Sequence, residues 1–266
     1  IEEDDPYIEE TVRGLGFSPL GKAVLPNYGE LTPDVLRKHI FGEESPAVEA
    51  KLEADRVVPR PPSLCAGCPH RGFFYEVGRR KNVVISGDIG CYTLGFAAPY
   101  NAMDWTICMG SSLSIGHGAQ KVFDMAPDNQ TRVVSVIGDS TFFHTGIQSL
   151  MEVAYNGGKT VSVILDNRIT GMTGHQQNPG SGYTAKGDPA EMVDLEALVR
   201  ACGIRQVAVI NPNDLAEVKK TLDWALAMEE PTVIITRWPC VLKRITPDEK
   251  SEFDDPFTGK YQVDAA

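Results

Sequence analysis

The sequence predicts an α/β protein built on a doubly wound parallel sheet. Three observations carry that expectation. Five short runs rich in β-branched residues are continuously apolar rather than alternating, as strands buried on both faces read. Between them lie stretches with apolar side chains at spacings of three and four. The chain has 266 residues, 42% hydrophobic and 23% charged. That suits one large domain or two small ones and excludes disordered, collagen-like and coiled-coil chains. Strand–helix alternation implies right-handed crossovers, and ligands in such sheets bind outside the carboxyl ends of the strands.

Residues 1–60 read as a leading arm. Within it LTPDVLRKHIF (31–41) predicts a short helix, with Thr32 as N-cap and Pro33 at the first helical position. VVPRPPSL (57–64) predicts an extended connector, because proline fixes φ and restricts the residue before it. A single domain is expected over 61–245. Its strands are predicted at 82–88, 131–139, 160–167, 205–210 and 231–238, and its helices at 111–126, 145–156, 194–202 and 213–229. The helix over 194–202 starts at a capping residue, Asp194, and stops at Gly203.

Net charge is −11, and the flanks supply it. Residues 1–10 carry six acids and no base, residues 246–266 six acids and two bases, so 11–245 stands at −1. Solvated ends explain this. The absence of a basic stripe argues against a nucleic-acid partner. No run approaches the roughly 18 apolar residues that a membrane span needs. The opening IEEDDPYIEE has neither an initiator Met nor the pattern of a signal peptide. The chain therefore reads as a cytoplasmic piece of a longer polypeptide. Six cysteines in such a chain point to metal or catalysis rather than a disulfide framework.

Two strand ends carry the first candidate site. VVSVIGDST ends in Gly138-Asp139-Ser140, VSVILDNRITGM runs into Asp166-Asn167, and 26 residues separate Ser140 from Asn167. That is room for one crossover helix and one strand, so both ends reach the same edge of the sheet. Asp139 offers an anionic oxygen, Asn167 an amide oxygen, and the irregular chain beyond it a free carbonyl, as Mg²⁺ requires when phosphates complete its shell. Gly138 allows close backbone approach, and a helix expected from about Thr145 aims its N-terminus that way. Taken alone, a Gly-Asp at a strand end reads first as an ordinary turn.

The second candidate site is made of cysteines. SLCAGCPHRG supplies Cys65 and Cys68, GDIGCYTLG supplies Cys91 at a strand end, and RWPCVL supplies Cys240 after the last strand. Zinc, a Cys₄ iron–sulfur cluster and a redox dithiol are the open readings. Cys108 and Cys202 read as packing residues.

The Gly-Asp-Ser spacing to Asn resembles the thiamine diphosphate motif. Together with the cysteines it resembles the 2-oxoacid:ferredoxin oxidoreductases. CPHRGFFY, GDIGCYTLG, ICMGSS, VIGDSTFFHTGI, LDNRITGMTGHQ and RWPCVL are most similar to strings of the family's aryl-pyruvate (indolepyruvate) branch, through roughly residues 60–245. GELTPDV (29–35) resembles the arm before that domain, and GKYQVDAA the lead from an acidic tail (246–266) into a ferredoxin-like domain absent here. The implied fold is the diphosphate-binding half of a thiamine enzyme. Asp139, Asn167 and the main chain of Ile169 would hold Mg²⁺, and Cys65, Cys68, Cys91 and Cys240 a 4Fe–4S cluster. Ile89, Gly90, Cys91, Tyr92, Met109, Gly110, Gly138, Ser140, Thr141, Gly171 and Met172 would contact the cofactor.

The implied reaction is oxidative decarboxylation of an aryl 2-oxoacid to its acyl-coenzyme A, with electrons passing through the cluster to ferredoxin. A small beta subunit would be a partner. The Glu that activates the pyrimidine would come from a thiamine domain elsewhere in the full chain or in another subunit. Ser111, Ser112 and Ser114 read as contacts or helix caps, His144 and His175 as satisfied structural histidines ahead of substrate-facing ones, and His70 as an outer neighbour of the cluster. Two rivals stand beside this reading. A non-redox carboligase like acetolactate synthase shares the GDS-to-Asn pattern but has no use for four cysteines, and a zinc-stabilised binding module has no catalysis.

Overall fold

The computed structural model describes residue 1, residues 3–44 and residues 58–253. The GKYQVDAA segment and most of the acidic tail lie outside the described residues. The chain divides into two compact units, Ile1–Arg60 and Pro61–Ala266.

The first unit holds helices α1 (Tyr7–Gly14) and α2 (Pro33–Phe41). The second of these follows its sequence signals. Thr32 Oγ1 accepts from the Val35 N–H at 3.4 Å, Pro33 occupies the first turn, and Gly42 ends the helix at φ 70°. Helix α1 has Pro6 at its N-cap, without a side-chain bond; the Glu3 carboxylate instead accepts from the Ile8 and Glu9 N–H groups, each at 2.8 Å.

The second unit is a sheet with helices on both faces. Its strands are β1 (Val83–Ser86), β2 (Arg132–Gly138), β3 (Val161–Asp166), β4 (Gln206–Ile210) and β5 (Thr232–Arg237). They lie in the order β1-β2-β3-β5-β4, every pair parallel. Each falls inside its predicted run. Helices α3 (His70–Val77) and α8 (Leu215–Leu226) cover one face; α4 (Ser112–Phe123), α6 (Ile147–Tyr155) and α7 (Leu195–Ala201) cover the other. Alternate β3 residues serve the two cores: Val161, Val163 and Leu165 pack with Phe73 and Phe74, Ile164 with Leu113 and Leu150. This two-sided burial is why β3 reads as an unbroken apolar run.

Register sets the carboxyl edge. Gly138 pairs with Leu165, and Asp166 pairs with Arg237. Asp139, Asn167 and the segment entering Cys240 therefore leave the sheet at similar heights. Ser86 pairs with Ser135, which brings the 87–91 segment to the same edge.

Three expectations need correction. The crossover after β2 becomes helical at Asp139, not near Thr145: α5 (Asp139–Thr141) runs through a π turn, Phe142–Gly146, into α6. A π turn leaves no periodic signal, and such turns gather at functional sites. The CxxC loop leads directly into α3, which sequence periodicity missed because Pro69 at its N-cap makes no side-chain hydrogen bond. Cys108 is exposed and packs in no core, whereas Cys202 is buried as expected. A short helix α9 (Pro247–Glu252) closes the described chain on a capping box between Thr246 and Glu249.

Ile164 is fully buried at the centre of β3. Replacing Ile164 by Ala should remove about 2–5 kcal/mol of stability through the cavity left behind. Urea unfolding should show a lower midpoint at unchanged slope.

Candidate active site

The cation corner is built from the ends of β2 and β3. Asp139 is 3% exposed and accepts a hydrogen bond from Asn178 Nδ2 at 3.1 Å. Asp166, beside it, takes the cations of the neighbourhood: Arg237 Nε at 2.8 Å and Arg168 Nε at 3.5 Å. Burial, and then the Asp166 charge, push the Asp139 carboxyl up to about 8, against the opposing Ser140 N–H and Asn178 amide. A buried carboxylate with no direct cationic partner is a hard-oxygen group that a divalent cation would satisfy.

Asn167 supplies the second oxygen. Its Oδ1 accepts from the Ile169 N–H at 3.2 Å, and its Nδ2 stands 3.4 Å from His70 Nε2. Burial holds His70 down at about 4, so the ring is neutral at neutral pH. A neutral ring accepts the amide proton at Nε2 and fixes which way the amide points. Thr170 Oγ1 donates to Ser140 Oγ at 2.7 Å and ties the two strand ends together.

One cavity opens on this corner. Asp139, Asn167 and Ile169 line it, as do Gly138, Ser140 and Thr141 from the β2 end. Ile89, Gly90, Cys91 and Tyr92 enter from β1, and Met109, Gly171 and Met172 complete the wall. Of the expected contacts only Gly110 stands back. Its φ of +87° and the close Thr145 side chain leave no room for a Cβ. Tyr92 organises the floor: its hydroxyl donates to the Ile89 carbonyl at 2.7 Å and lies 3.2 Å from Thr141 Oγ1. A Cβ on Gly90 or Gly138 would meet the Tyr92 ring at 2.3 or 2.4 Å.

A second cavity adjoins the first. Cys65, Cys68, Cys91 and Cys240 all line it, while Cys108 and Cys202 do not. His70, Cys91, Asn167, Gly171 and Met172 line both cavities. Register explains Cys240: the Trp238 and Cys240 N–H groups donate to the Asp166 and Asn167 carbonyls, each at 3.0 Å. Burial, and then the other three cysteines, push the Cys68 thiol up to about 11 despite a hydrogen bond from the His70 backbone. Cys91 rises from burial, Cys240 and Cys65. Among the described residues no three His, Cys, Asp or Glu side chains stand ready around one metal ion. A cluster asks for less convergence, since each thiolate binds a different iron.

Sequence reasoning missed three contributors. Asp88, fully buried, accepts from Gly110 N and Ser112 N at about 3 Å and so caps α4. The three nearby serines do not: Ser111 bonds the Cys108 backbone, Ser114 the Ser111 carbonyl, and Ser112 Oγ is buried unpartnered. The Gly-Asp of SGDIG, like that of IGDST, was the available signal. Asn178 and Arg168 lie in aperiodic loops and offered none. His144 is exposed and His175 lines the cysteine cavity at φ 65°; among the described residues neither ring is hydrogen-bonded, which does not fit a satisfied structural histidine.

Residues 88–236 match the family described as "Thiamine pyrophosphate enzyme, C-terminal TPP binding domain". The chain belongs to that family of thiamine pyrophosphate enzymes. It is 39% identical over 259 residues to "Indolepyruvate oxidoreductase subunit IorA" of Methanothermobacter thermautotrophicus, covering 91% of this chain and 41% of that protein. It is 37% identical over 258 residues to the subunit of the same name from Archaeoglobus fulgidus, covering 91% and 40%. The chain thus spans about two fifths of these relatives' length. A 2-oxoglutarate:ferredoxin oxidoreductase from Magnetococcus marinus shares the fold, with a TM-score of 0.62 at 22% identity over 77% of this chain and 76% of that one. No helix among the described residues is long and apolar enough to cross a membrane.

Gly138→Ala should lower stability by about 1–3 kcal/mol by forcing the Tyr92 ring aside. In a double-mutant cycle, Tyr92→Ala should absorb part of that loss, because the clash is then gone.

Proposed function

We propose that this chain binds the diphosphate end of thiamine diphosphate through Mg²⁺ and holds a 4Fe–4S cluster beside it, as part of a 2-oxoacid:ferredoxin oxidoreductase acting on an aryl 2-oxoacid such as indolepyruvate. What supports this reading most is the shared wall: Cys91, His70 and Asn167 face both the cation corner and the four-cysteine cavity. The carboligase alternative has no role for that second cavity. The zinc-module alternative would leave the buried Asp139 unexplained.

Bound thiamine diphosphate would supply an electron sink for decarboxylation, and the cluster one-electron transfer. The protein's own contribution is positioning and charge. Asp139 and the Asn167 Oδ1, with the Ile169 carbonyl, would hold the cation; Ser140 and Thr141 would face the diphosphate. Met109, Met172 and Leu165 line the cavity and would present apolar surface to the bound cofactor. Cys65, Cys68, Cys91 and Cys240 would ligate the cluster as thiolates, whose mutual repulsion the irons would relieve.

The remaining partners are what the family resemblance of the sequence implies. The pyrimidine-activating Glu would come from a thiamine domain outside this segment, and coenzyme A would take up the acyl group. Residues 61–245 would be the cofactor domain, and 246–266 would lead toward a ferredoxin-like domain. A small beta subunit and ferredoxin complete the proposed assembly.

Asp139→Ala should weaken Mg²⁺-dependent thiamine diphosphate binding by on the order of 100-fold or more in calorimetry, without loss of fold. Cys240→Ser, prepared anaerobically, should lose visible iron–sulfur absorption while keeping cofactor binding. Unchanged affinity in the first variant, or unchanged colour in the second, would refute the corresponding site.

A further inference from the structure

The loop that carries Asn167 and Ile169 passes between them through Arg168, whose φ is 61°. A non-glycine residue keeps that left-handed backbone only where its surroundings over-determine it. Here its side chain does so. Arg168 is 4% exposed, and its guanidinium is held on several sides. One amino group donates to Glu252 Oε1 at 2.7 Å, the other meets Met192 Sδ at 2.8 Å, and Nε lies 3.5 Å from Asp166 Oδ2. The guanidinium carbon stands 5.4 Å from the centre of the Phe253 ring. Phe253 is itself fixed edge-on against Trp238, with ring centres 5.7 Å apart. Neither Arg168, Glu252 nor Phe253 lines the cofactor cavity.

We propose that Arg168 is a positioning residue for the cation corner, and that Glu252 and Phe253 act on that corner through it. The backbone direction at Arg168 decides where the Asn167 side chain and the Ile169 carbonyl can meet one cation. Asp166 acts from one side only: its Oδ1 accepts from the Arg168 backbone N–H at 3.3 Å, while its Oδ2 is shared with Arg237 Nε at 2.8 Å. Glu252, at the end of α9, is the nearest carboxylate to the guanidinium. Groups one layer behind metal ligands commonly set affinity by holding those ligands in orientation. This assignment rests on the thiamine diphosphate reading above.

The test uses the full-length protein, with Mg²⁺ titrated at saturating thiamine diphosphate. Calorimetry gives the half-saturating Mg²⁺ concentration, and thermal melting is followed in parallel. Glu252 is partly exposed (42% of its side chain), so Glu252→Ala should fold. It should raise half-saturation about tenfold. Arg168→Lys, which keeps the charge, should shift it less than Arg168→Ala. A merely structural role would lower the melting temperature and leave the Mg²⁺ dependence of Glu252→Ala and Arg168→Lys at the wild-type value; that result overturns the assignment while the cofactor reading stands. A wild-type protein showing no Mg²⁺-dependent binding overturns both.

Discussion

In β3, Leu165 pairs with Gly138 of β2, and the next residue, Asp166, pairs with Arg237 of β5. The chemistry at the carboxyl edge depends on that register. It sets Asp139 beside Asn167 on one side and draws Cys240 onto the Asn167 carbonyl on the other. A slip of one residue would exchange the faces of β3, exposing Ile164's core to Val163 and turning the strand-end polar groups away from each other. Close packing on both faces makes such a slip prohibitive, so the apolar interior and the polar edge are specified together.

The charges at that edge are distributed unequally. Asp166 is paired with two arginines, while Asp139, equally buried, has an amide, a backbone N–H and the Arg168 charge without an ion-pair contact among the described residues. The cysteines repeat the pattern: Cys68 and Cys91 are raised by burial and then by the neighbouring thiols. Both clusters are poorly suited to being charged as they stand and well suited to bound cations. Fold stability alone gives no reason to bury an unpaired carboxylate against a second one. The adjoining cavities give such a reason, since each would receive positive charge from a metal, and Asn167 with its His70 neighbour forms the partition between them.

The parts of this arrangement that were legible in the sequence are those with a period or a fixed spacing. β2 and β3 announced themselves as β-branched runs ending in Gly-Asp and Asp-Asn, and Thr32 with Pro33 announced α2. The CxxC, strand-end and late cysteines were each recognisable by context. What stayed hidden depends on contacts distant in sequence or on unusual backbone. Asp88 caps a helix that begins 24 residues later. Asn178 reaches Asp139 from an irregular loop, and Arg168 is held by a residue 84 positions away. The π turn after Asp139 moved the start of its helix forward, because α-helical periodicity carries no trace of an inserted residue.

Asp139 and Asn167 are proposed to hold a divalent cation on the cofactor's diphosphate. Mn²⁺ accepts the same oxygen ligands as Mg²⁺ and is paramagnetic. Pulsed electron paramagnetic resonance of the Mn²⁺-loaded protein with thiamine diphosphate reads the cation's neighbours directly. The wild-type protein should show phosphorus hyperfine coupling, and Asp139→Ala should lose it. Tightly bound Mn²⁺ without phosphorus coupling, or coupling that persists in the variant, would contradict that assignment.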